Sequence, residues 1–177
     1  MSFKMIDFNV NNSILIVIDI INSCASPECE IKKWGISFKK IRRMIPKLSK
    51  FIKDYKKISR KPVIYVNCVK WDKKHLTDNI NELYKIPRSR YYSEDETVFP
   101  EEFYGVKPDK KDVIITKNHY DVFTSPELNR YLKKKKIKYL IVTGIFGDGC
   151  VDASIKGGFS KGYNFIILKD LYWRIIK

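Results

Sequence analysis

The chain has 177 residues, of which 44% are hydrophobic and 31% charged, a composition typical of one globular domain rather than of a disordered chain. No apolar run approaches the roughly 20 residues of a membrane helix, and residues 1–13 lack the apolar core of a signal peptide. The four cysteines show no CxxC spacing, which argues against a zinc ribbon or a thioredoxin-type motif. We therefore predict a single cytoplasmic domain over residues 1–177 with reduced thiols.

The formal net charge of +15 raises the question of nucleic-acid binding. Eleven of the 35 basic residues lie within residues 39–61, where apolar residues recur every three or four positions. That spacing is typical of an amphipathic helix with a solvated charged face. A second basic run, residues 133–138, ends another predicted helix, where cations suit the negative end of the dipole. No aromatic residues alternate with these basic runs as stacking platforms, so nucleic acid is disfavoured but stays an alternative.

Five short apolar runs rich in β-branched residues follow one another along the chain. Polar residues or glycine bound each run, as expected of strands buried on both faces: residues 14–18, 63–66, 113–116, 139–143 and 165–168. Helical patterns alternate with most of them. This alternation predicts an α/β fold, namely a single Rossmann-like three-layer domain with a mainly parallel sheet of five to six strands flanked by helices.

Three helices are predicted between these strands. The first carries an apolar stripe from Phe38 to Tyr55, and the second runs from about Ser125 to Lys135, with Ser125 as its cap and proline in its first turn. The third follows Cys150 and stops near residue 162. Residues 70–111 are instead long, polar and weakly periodic, which is typical of a functional or disordered insertion.

Reactive residues follow three of the predicted strands, at the edge where open parallel sheets bind ligands. Asp19 ends the first strand, Lys117 ends the third, and Cys150 follows the fourth at the start of a helix. A thiol needs ionisation to be a good nucleophile, and a helix N-terminus and a nearby ammonium both lower its pKa. A carboxylate accepts the thiol proton and later delivers it to a leaving group, while amides of the glycine-rich turn hold an oxyanion.

Each of these residues also has an ordinary structural interpretation. Asp19 is equally compatible with a helix cap, Lys117 with one more of many lysines, and Cys150 with a small buried hydrophobe. Taken singly, the structural interpretations are favoured. The joint position of the three at strand ends favours chemistry.

Three ordered motifs resemble those of a known family. They are "LIVIDIINSC", with Asp19 and Asn22, then "DVIITKNHYDVFTSPELNRYL", with Lys117 and an aromatic pair, and "LIVTGIFGDGCVDASIKGGFSKGYNFIILKD", with Cys150. Together they resemble the isochorismatase-like cysteine hydrolases, which include nicotinamidases and N-carbamoylsarcosine amidases. The resemblance covers residues 13–170 except the stretch from 70 to 111.

The resemblance implies a role for each matching residue. Cys150 would be the nucleophile, Asp19 the general base and acid, and Lys117 the cation that orients them. It also implies a cis peptide at Ile145–Phe146, and an oxyanion hole made by the amides of Phe146 and Cys150. Asn22, Tyr120 and Phe123 match residues near the family's pocket, although Tyr120 is equally compatible with packing. From their position in the long insertion alone, and not from the resemblance, we expect Trp71 or Tyr92 to cover the pocket.

The sequence departs from the family at several points. The metal cluster of nicotinamidases has no counterpart beyond Asp72 and His75, so we expect no metal and no other cofactor. Ile21 stands where many relatives carry glutamine. The chain stops seven residues after Asp170, where relatives continue into a further helix, so we expect a neighbouring subunit to cover that face in a homodimer or homotetramer.

We therefore expect a metal-independent cysteine amidohydrolase that cleaves a C–N bond of a small amide or carbamoyl compound through a thioester. Retention of Cys150 favours this reaction over enol-ether cleavage. The basic surface would favour anionic substrates. Besides nucleic-acid binding, one other function class stays open: a catalytically silent family member that serves as a binding or scaffolding protein. The substrate itself is not predicted, because the resemblance fails in residues 70–111.

Overall fold

A computed structural model of the protein describes residues 9–30, 37–68, 78–79, 82 and 102–174. Its centre is a five-stranded sheet with the strand order β3-β2-β1-β4-β5. All strand pairings in it are parallel. The strands are β1 (Ser13–Ile18), β2 (Ile64–Cys68), β3 (Val113–Lys117), β4 (Tyr139–Ile145) and β5 (Asn164–Trp173). The predicted α/β class with a parallel sheet is confirmed.

Several strands extend beyond the apolar runs that predicted them, β2 and β5 among them. The second strand reaches Cys68, because backbone pairing with β3 continues through the register Cys68↔Lys117. The fifth reaches Trp173, because a register shift between Val142 and Gly144 lets β5 pair again with the end of β4. Backbone hydrogen bonding thus carries both strands past the point where hydrophobic patterning ends.

Four α-helices have described bounds: α1 (Asn22–Ala25), α2 (Lys39–Ser59), α3 (Pro126–Lys134) and α4 (Cys150–Ser160). The buried side chains of α2 recur at helical spacing, as Ile41, Met44, Leu48 and Ile52 show, and its lysines are mostly exposed. At α3, Ser125 holds the N-cap position and proline occupies the first turn, as predicted. The Ser125 side chain makes no capping hydrogen bond.

Two apolar cores, one on each face of the sheet, make the domain three-layered. On one face, Ile41 and Leu48 of α2 pack with Val17 and Tyr65. On the opposite face, residues of α3 and α4 pack with alternate positions of the same strands: Leu128, Leu132, Val151, Ile16 and Ile64. Burying each such aliphatic side chain stabilises the fold by roughly 1.5–3 kcal/mol. None of the helices in the described ranges is long and apolar enough to cross a membrane.

A close approach between β1 and β4 places the carboxyl ends of these strands together. Gly144 pairs with Ile18 and has a φ of 131°, and a Cβ added there would lie 2.1 Å from the Ile18 carbonyl oxygen. Only glycine fits such a position. The next residue after β1, Asp19, has a φ of 53° and donates its amide to Val66 O at 3.0 Å. The carboxylate of Asp19 therefore leaves the strand at this shared edge.

Candidate active site

A buried cluster of four side chains lies at the carboxyl edge of the sheet. The ammonium Nζ of Lys117 is 2.9 Å from Asp19 Oδ2 and 3.2 Å from the sulfur atoms of both Cys68 and Cys150. The thiol of Cys68 in turn donates to Asp19 Oδ1 at 3.6 Å. The convergence of Asp19, Lys117 and Cys150, expected from the strand ends, is observed.

Different secondary-structure elements supply the four residues. Asp19 follows the central strand β1, Cys68 and Lys117 are the last residues of the paired strands β2 and β3, and Cys150 is the first residue of α4. All four are nearly enclosed, with exposed fractions of 1% for Asp19, 2% for Cys68 and Lys117, and 6% for Cys150. Rigid elements hold each group, so the cluster is preorganised.

The turn before α4 has the features that the family resemblance implies. The Ile145–Phe146 peptide bond is cis, as predicted. The amides of Gly149 and Val151, on either side of Cys150, both donate to Phe146 O, at 3.0 and 3.1 Å. As the first residue of α4, Cys150 contributes one of the N–H groups that a helix cannot satisfy internally. The Phe146 ring packs against Phe38 and Trp173, which fixes the turn on the first core.

Electrostatics in the cluster are dominated by one ammonium among several acidic groups. Burial alone would lower the pKa of Lys117, but the charges of Asp19, Cys68 and Cys150 outweigh burial and raise this pKa well above its usual value. Lys117 is therefore a permanent cation at neutral pH. The Asp19 carboxylate balances this charge.

The thiol of Cys150 behaves differently from the expectation drawn from the sequence. Burial raises the pKa of Cys150 well above its usual value, the Asp19 charge raises it further, and Lys117 only partly opposes these effects. The expected lowering of the thiol pKa is therefore wrong. The physical reason is that Asp19 already neutralises the single ammonium, so a thiolate would add an uncompensated buried charge.

The other predicted site residues have different surroundings. Asn22 begins α1 and donates its amide to Glu102 O at 2.8 Å, and Tyr120 is half-buried against both cores. Phe123 is 2% exposed and packs on Tyr163, which is a core environment. The pocket roles of these residues stay predictions. Trp71 and Tyr92, proposed to cover the pocket, lie outside the described residues.

A cavity of about 620 Å³ lies along the end of β3 and the start of α3, and Lys117, Asn118, Ser125 and Arg130 contribute to its lining. Of the four cluster residues, Lys117 alone is among those that line it. Its volume is in the range of small-molecule sites. A second cavity of about 410 Å³ lies near the end of β2 and is lined in part by Asn67 and Lys107. Both positions agree with ligand binding beyond the carboxyl ends of parallel strands.

Among the residues for which coordinates are described, no group of three or more His, Cys, Asp or Glu side chains is arranged to hold a metal ion. Asp72 and His75, the potential ligands weighed from the sequence, lie outside those residues. Ile21 and its neighbour Ile20 are fully buried in the first core, and an isoleucine side chain has no polar group that could bind a metal or a substrate.

Sequence reasoning missed Cys68. The apolar run that predicted β2 ended at Val66, so Cys68 was considered only in the search for paired cysteines. A signal was nevertheless present, because Cys68 follows a predicted strand just as Asp19 and Lys117 end theirs. Applying the strand-end criterion to every reactive residue would have placed Cys68 in the cluster.

The protein has a three-layer fold with a parallel sheet, and a buried cluster of Asp, Lys and Cys lies at the carboxyl edge of that sheet. This arrangement defines a candidate site for a cysteine nucleophile. The family model described as the isochorismatase domain matches residues 13–174. The chain therefore belongs to the isochorismatase family of hydrolases. The family resemblance noted from three sequence motifs is thereby confirmed.

Individual relatives add detail about the likeness. Ureidoacrylate amidohydrolase RutB of Yersinia enterocolitica is 34% identical over 65 residues, which are 37% of this chain and 28% of that protein. The chain thus matches little more than a quarter of the length of this curated relative.

Two solved structures share the fold at low sequence identity. A cysteine hydrolase from Pseudomonas syringae superposes with a TM-score of 0.77 at 20% identity, covering 96% of this chain and 76% of that one. N-carbamoylsarcosine amidase from Thermoplasma acidophilum gives a TM-score of 0.71 at 19% identity, covering 94% and 86% of the two chains. At these identities the likeness supports the fold alone and does not indicate which substrate this protein binds.

Proposed function

We propose that the protein is a cysteine-dependent amidohydrolase that cleaves the C–N bond of a small amide or carbamoyl compound. The single observation that carries this proposal is the position of Lys117 Nζ, which lies 3.2 Å from Cys150 Sγ and 2.9 Å from Asp19 Oδ2 in a buried site. A nucleophile, a cation and a proton acceptor are in mutual contact there. The amidohydrolase and amidase among the compared proteins agree with this reaction class.

The raised thiol pKa determines how the nucleophile forms. Because a free thiolate would leave the cluster with a net negative charge, the thiol proton moves to Asp19 as the sulfur attacks, and the total charge stays constant. Asp19 Oδ2 is at ion-pair distance from Lys117, and the Asp19 carboxylate also forms a side-chain hydrogen bond with the Cys150 thiol. The carboxylate is therefore in position to take this proton. Lys117 stabilises whichever of the two groups is negative.

The reaction proceeds in two balanced stages. Cys150 Sγ adds to the carbonyl carbon, the oxyanion is held by the amides of Phe146 and Cys150, and Asp19 returns the proton to the nitrogen as the C–N bond breaks. Ammonia or an amine leaves, and a thioester remains on Cys150. Water then adds to the thioester, Asp19 accepts a water proton, and the acid product leaves as the thiol is restored.

Several broader properties belong to the same proposal. We place the protein in the cytoplasm, supported by the absence of disulfides among its four cysteines. We propose a homodimer or homotetramer and a metal-independent reaction. The net charge of +15 supports anionic substrates through electrostatic steering. These assignments rest on composition and on the family resemblance.

The proposal is tested by incubating the protein with a panel of small primary amides, N-carbamoyl compounds and ureido acids. Release of ammonia or amine, together with an acyl adduct on Cys150 by mass spectrometry, is the expected result. Cys150→Ala should abolish both, whereas Cys29→Ala, which changes a half-buried cysteine outside the cluster, should retain both.

The proposal is wrong if no panel member yields ammonia, amine or adduct and Cys150 in the folded protein resists alkylation at every pH that preserves the fold. That outcome would favour a binding or scaffolding role. Salt-sensitive retention on nucleic acid, with a slope reporting several phosphate contacts, would instead favour a nucleic-acid partner.

A further inference from the structure

A second thiol occupies the cluster in a position equivalent to that of the proposed nucleophile. Cys68 and Cys150 each lie 3.2 Å from Lys117 Nζ, and both are buried. Cys68 also contacts the carboxylate, since its thiol donates to Asp19 Oδ1 at 3.6 Å. The reaction proposed above uses Cys150 and gives no role to Cys68.

The hydrogen-bonding capacity of the ammonium accounts for this arrangement. A lysine ammonium has three N–H donors and no acceptor, and the side chain of Lys117 is fully buried. Its three close partners are Asp19 Oδ2, Cys68 Sγ and Cys150 Sγ. Without Cys68, the buried ammonium would lose one of its two sulfur partners.

The contacts of Cys68 close a ring around the proton acceptor. Lys117 donates to Cys68, Cys68 donates to Asp19 Oδ1, and Asp19 Oδ2 is paired with Lys117. One carboxylate oxygen is thereby engaged by Cys68. The ring directs the other oxygen toward the ammonium that Cys150 shares.

We propose that Cys68 is a positioning residue of this site, which orients Asp19 and Lys117 and sets the pH range over which Cys150 reacts. The inference rests on the proposed cysteine-dependent hydrolysis. It assigns Cys68 two separable effects. One effect depends on its hydrogen bonds and the other on its ability to ionise beside the same ammonium.

The ionisation effect has a definite sign. In addition to burial and to Asp19, Cys68 raises the pKa of Cys150, because two thiols compete for one cation. The titratable groups facing Cys150 are Asp19 after β1, Cys68 at the end of β2 and Lys117 at the end of β3. The carboxylate of Asp121, in the loop after β3, also interacts electrostatically with Lys117. Replacing Cys68 with any residue that cannot ionise should therefore move the reaction of Cys150 to lower pH.

The hydrogen-bond effect separates two substitutions. Serine at position 68 keeps one donor and one acceptor, whereas valine fills a similar volume and keeps neither. In Cys68→Val, Asp19 Oδ1 loses the thiol donor and Lys117 loses one of its sulfur partners. Both groups are then held less firmly, so kcat should fall with little change in KM.

The experiment compares wild type, Cys68→Val, Cys68→Ser and the control Cys24→Val. Cys24 is also buried in the first core but lies on α1. Iodoacetamide alkylation of Cys150, quantified by mass spectrometry from pH 6 to 10, should move to lower pH by about half a unit or more in both Cys68 variants. In Cys68→Val, kcat on a substrate found in the panel should fall by about tenfold or more. Cys68→Ser should remain within about threefold of wild type, and Cys24→Val should match wild type in both measurements.

Two outcomes would overturn the inference. An unchanged alkylation profile in both Cys68 variants would show that Cys68 does not influence Cys150 ionisation. Equal kcat losses in Cys68→Val and Cys68→Ser would show that volume, rather than hydrogen bonding, is what the site requires. Because alkylation needs no substrate, failure of the inference is distinguishable from failure of the amidohydrolase proposal.

Discussion

At each end of the β2–β3 strand pair, a lysine is paired with an aspartate. At the carboxyl end, Lys117 contacts Asp19 and two sulfur atoms, and its side chain is fully buried. At the amino end, Lys56 of α2 contacts Asp112 and also Asp109 at 2.9 Å, and its side chain is 24% exposed. Burial would lower the pKa of both lysines, but the acidic groups around each lysine outweigh burial and raise it.

The difference between the two ends lies in what else the charged groups contact. At the amino end, Asp112 accepts hydrogen bonds from the backbone amides of Val63 and Asp109, at 2.9 and 2.8 Å. The Lys56–Asp112 pair therefore connects α2 to the start of β2 and to the loop before β3. At the carboxyl end, the remaining donors of Lys117 reach thiols. A raised lysine pKa therefore does not identify a reactive site. What distinguishes the proposed site is that its lysine also contacts thiols.

Replacing Lys117 by methionine should have the largest effect and tests the carboxyl end. Activity should fall by about 10²–10⁴-fold, as expected when a group that stabilises developing charge is lost. Because Asp19 would remain as an unpaired buried charge, the free energy of unfolding should also fall by about 3–5 kcal/mol. Urea denaturation and turnover on a panel substrate measure the two effects.

The double variant Lys117→Met/Asp19→Asn separates these two losses. Removing the buried carboxylate should restore at least half of the lost free energy of unfolding without restoring turnover. Recovery of turnover in the double variant would contradict the role assigned to the charged pair.

Replacing Asp19 by asparagine should change thiol reactivity and catalysis in opposite directions. Asp19 raises the pKa of Cys150, so its loss should move iodoacetamide alkylation of Cys150 to lower pH. Turnover should fall in the same variant, because the proposed proton acceptor is missing. Lys117→Met should move alkylation to higher pH, because the ammonium lowers the same pKa. If the alkylation profile moved in the same direction in both variants, Asp19 and Lys117 would not have opposite effects on the pKa of Cys150.

Replacing Lys56 by methionine tests the amino end and should affect stability alone. Asp112 keeps its two backbone donors, so we expect a loss of about 1–2 kcal/mol in the free energy of unfolding rather than the full cost of an isolated buried charge. The alkylation profile of Cys150 should not move. A shifted profile would mean that the two ends of the strand pair are electrostatically coupled.

The pH dependence of this stabilisation follows from the raised pKa of Lys56. Burial would lower the pKa, but Asp112 and Asp109 raise it above the usual 10.5. A group whose pKa is raised by folding stabilises the fold fully below its unfolded value and loses that contribution as the pH rises through the folded value. The difference between wild type and Lys56→Met should thus be constant at neutral pH and shrink above about pH 10.5.

The sequence predicted the ends of β1 and β3 because hydrophobic runs stop where side chains leave the core, and Asp19 and Lys117 mark those points. It also predicted the cis peptide before Phe146, through the family resemblance. It did not predict the thiol pKa, which depends on burial and charge balance that only the folded structure defines. Cys68 was missed because strand pairing extends β2 beyond its apolar run, and hydrogen bonding between strands leaves no trace in hydropathy.

Replacing Lys50 by methionine should have the smallest effect and serves as the surface control for Lys56→Met. Lys50 lies on the same helix and contacts Asp54 at 2.6 Å, but both side chains are more than half exposed. Solvent screens such a pair, so the free energy of unfolding should change by less than about 0.5 kcal/mol in urea denaturation. A loss as large as that of Lys56→Met would mean that general helix charge, rather than contact with Asp112, determines how α2 is held against the sheet.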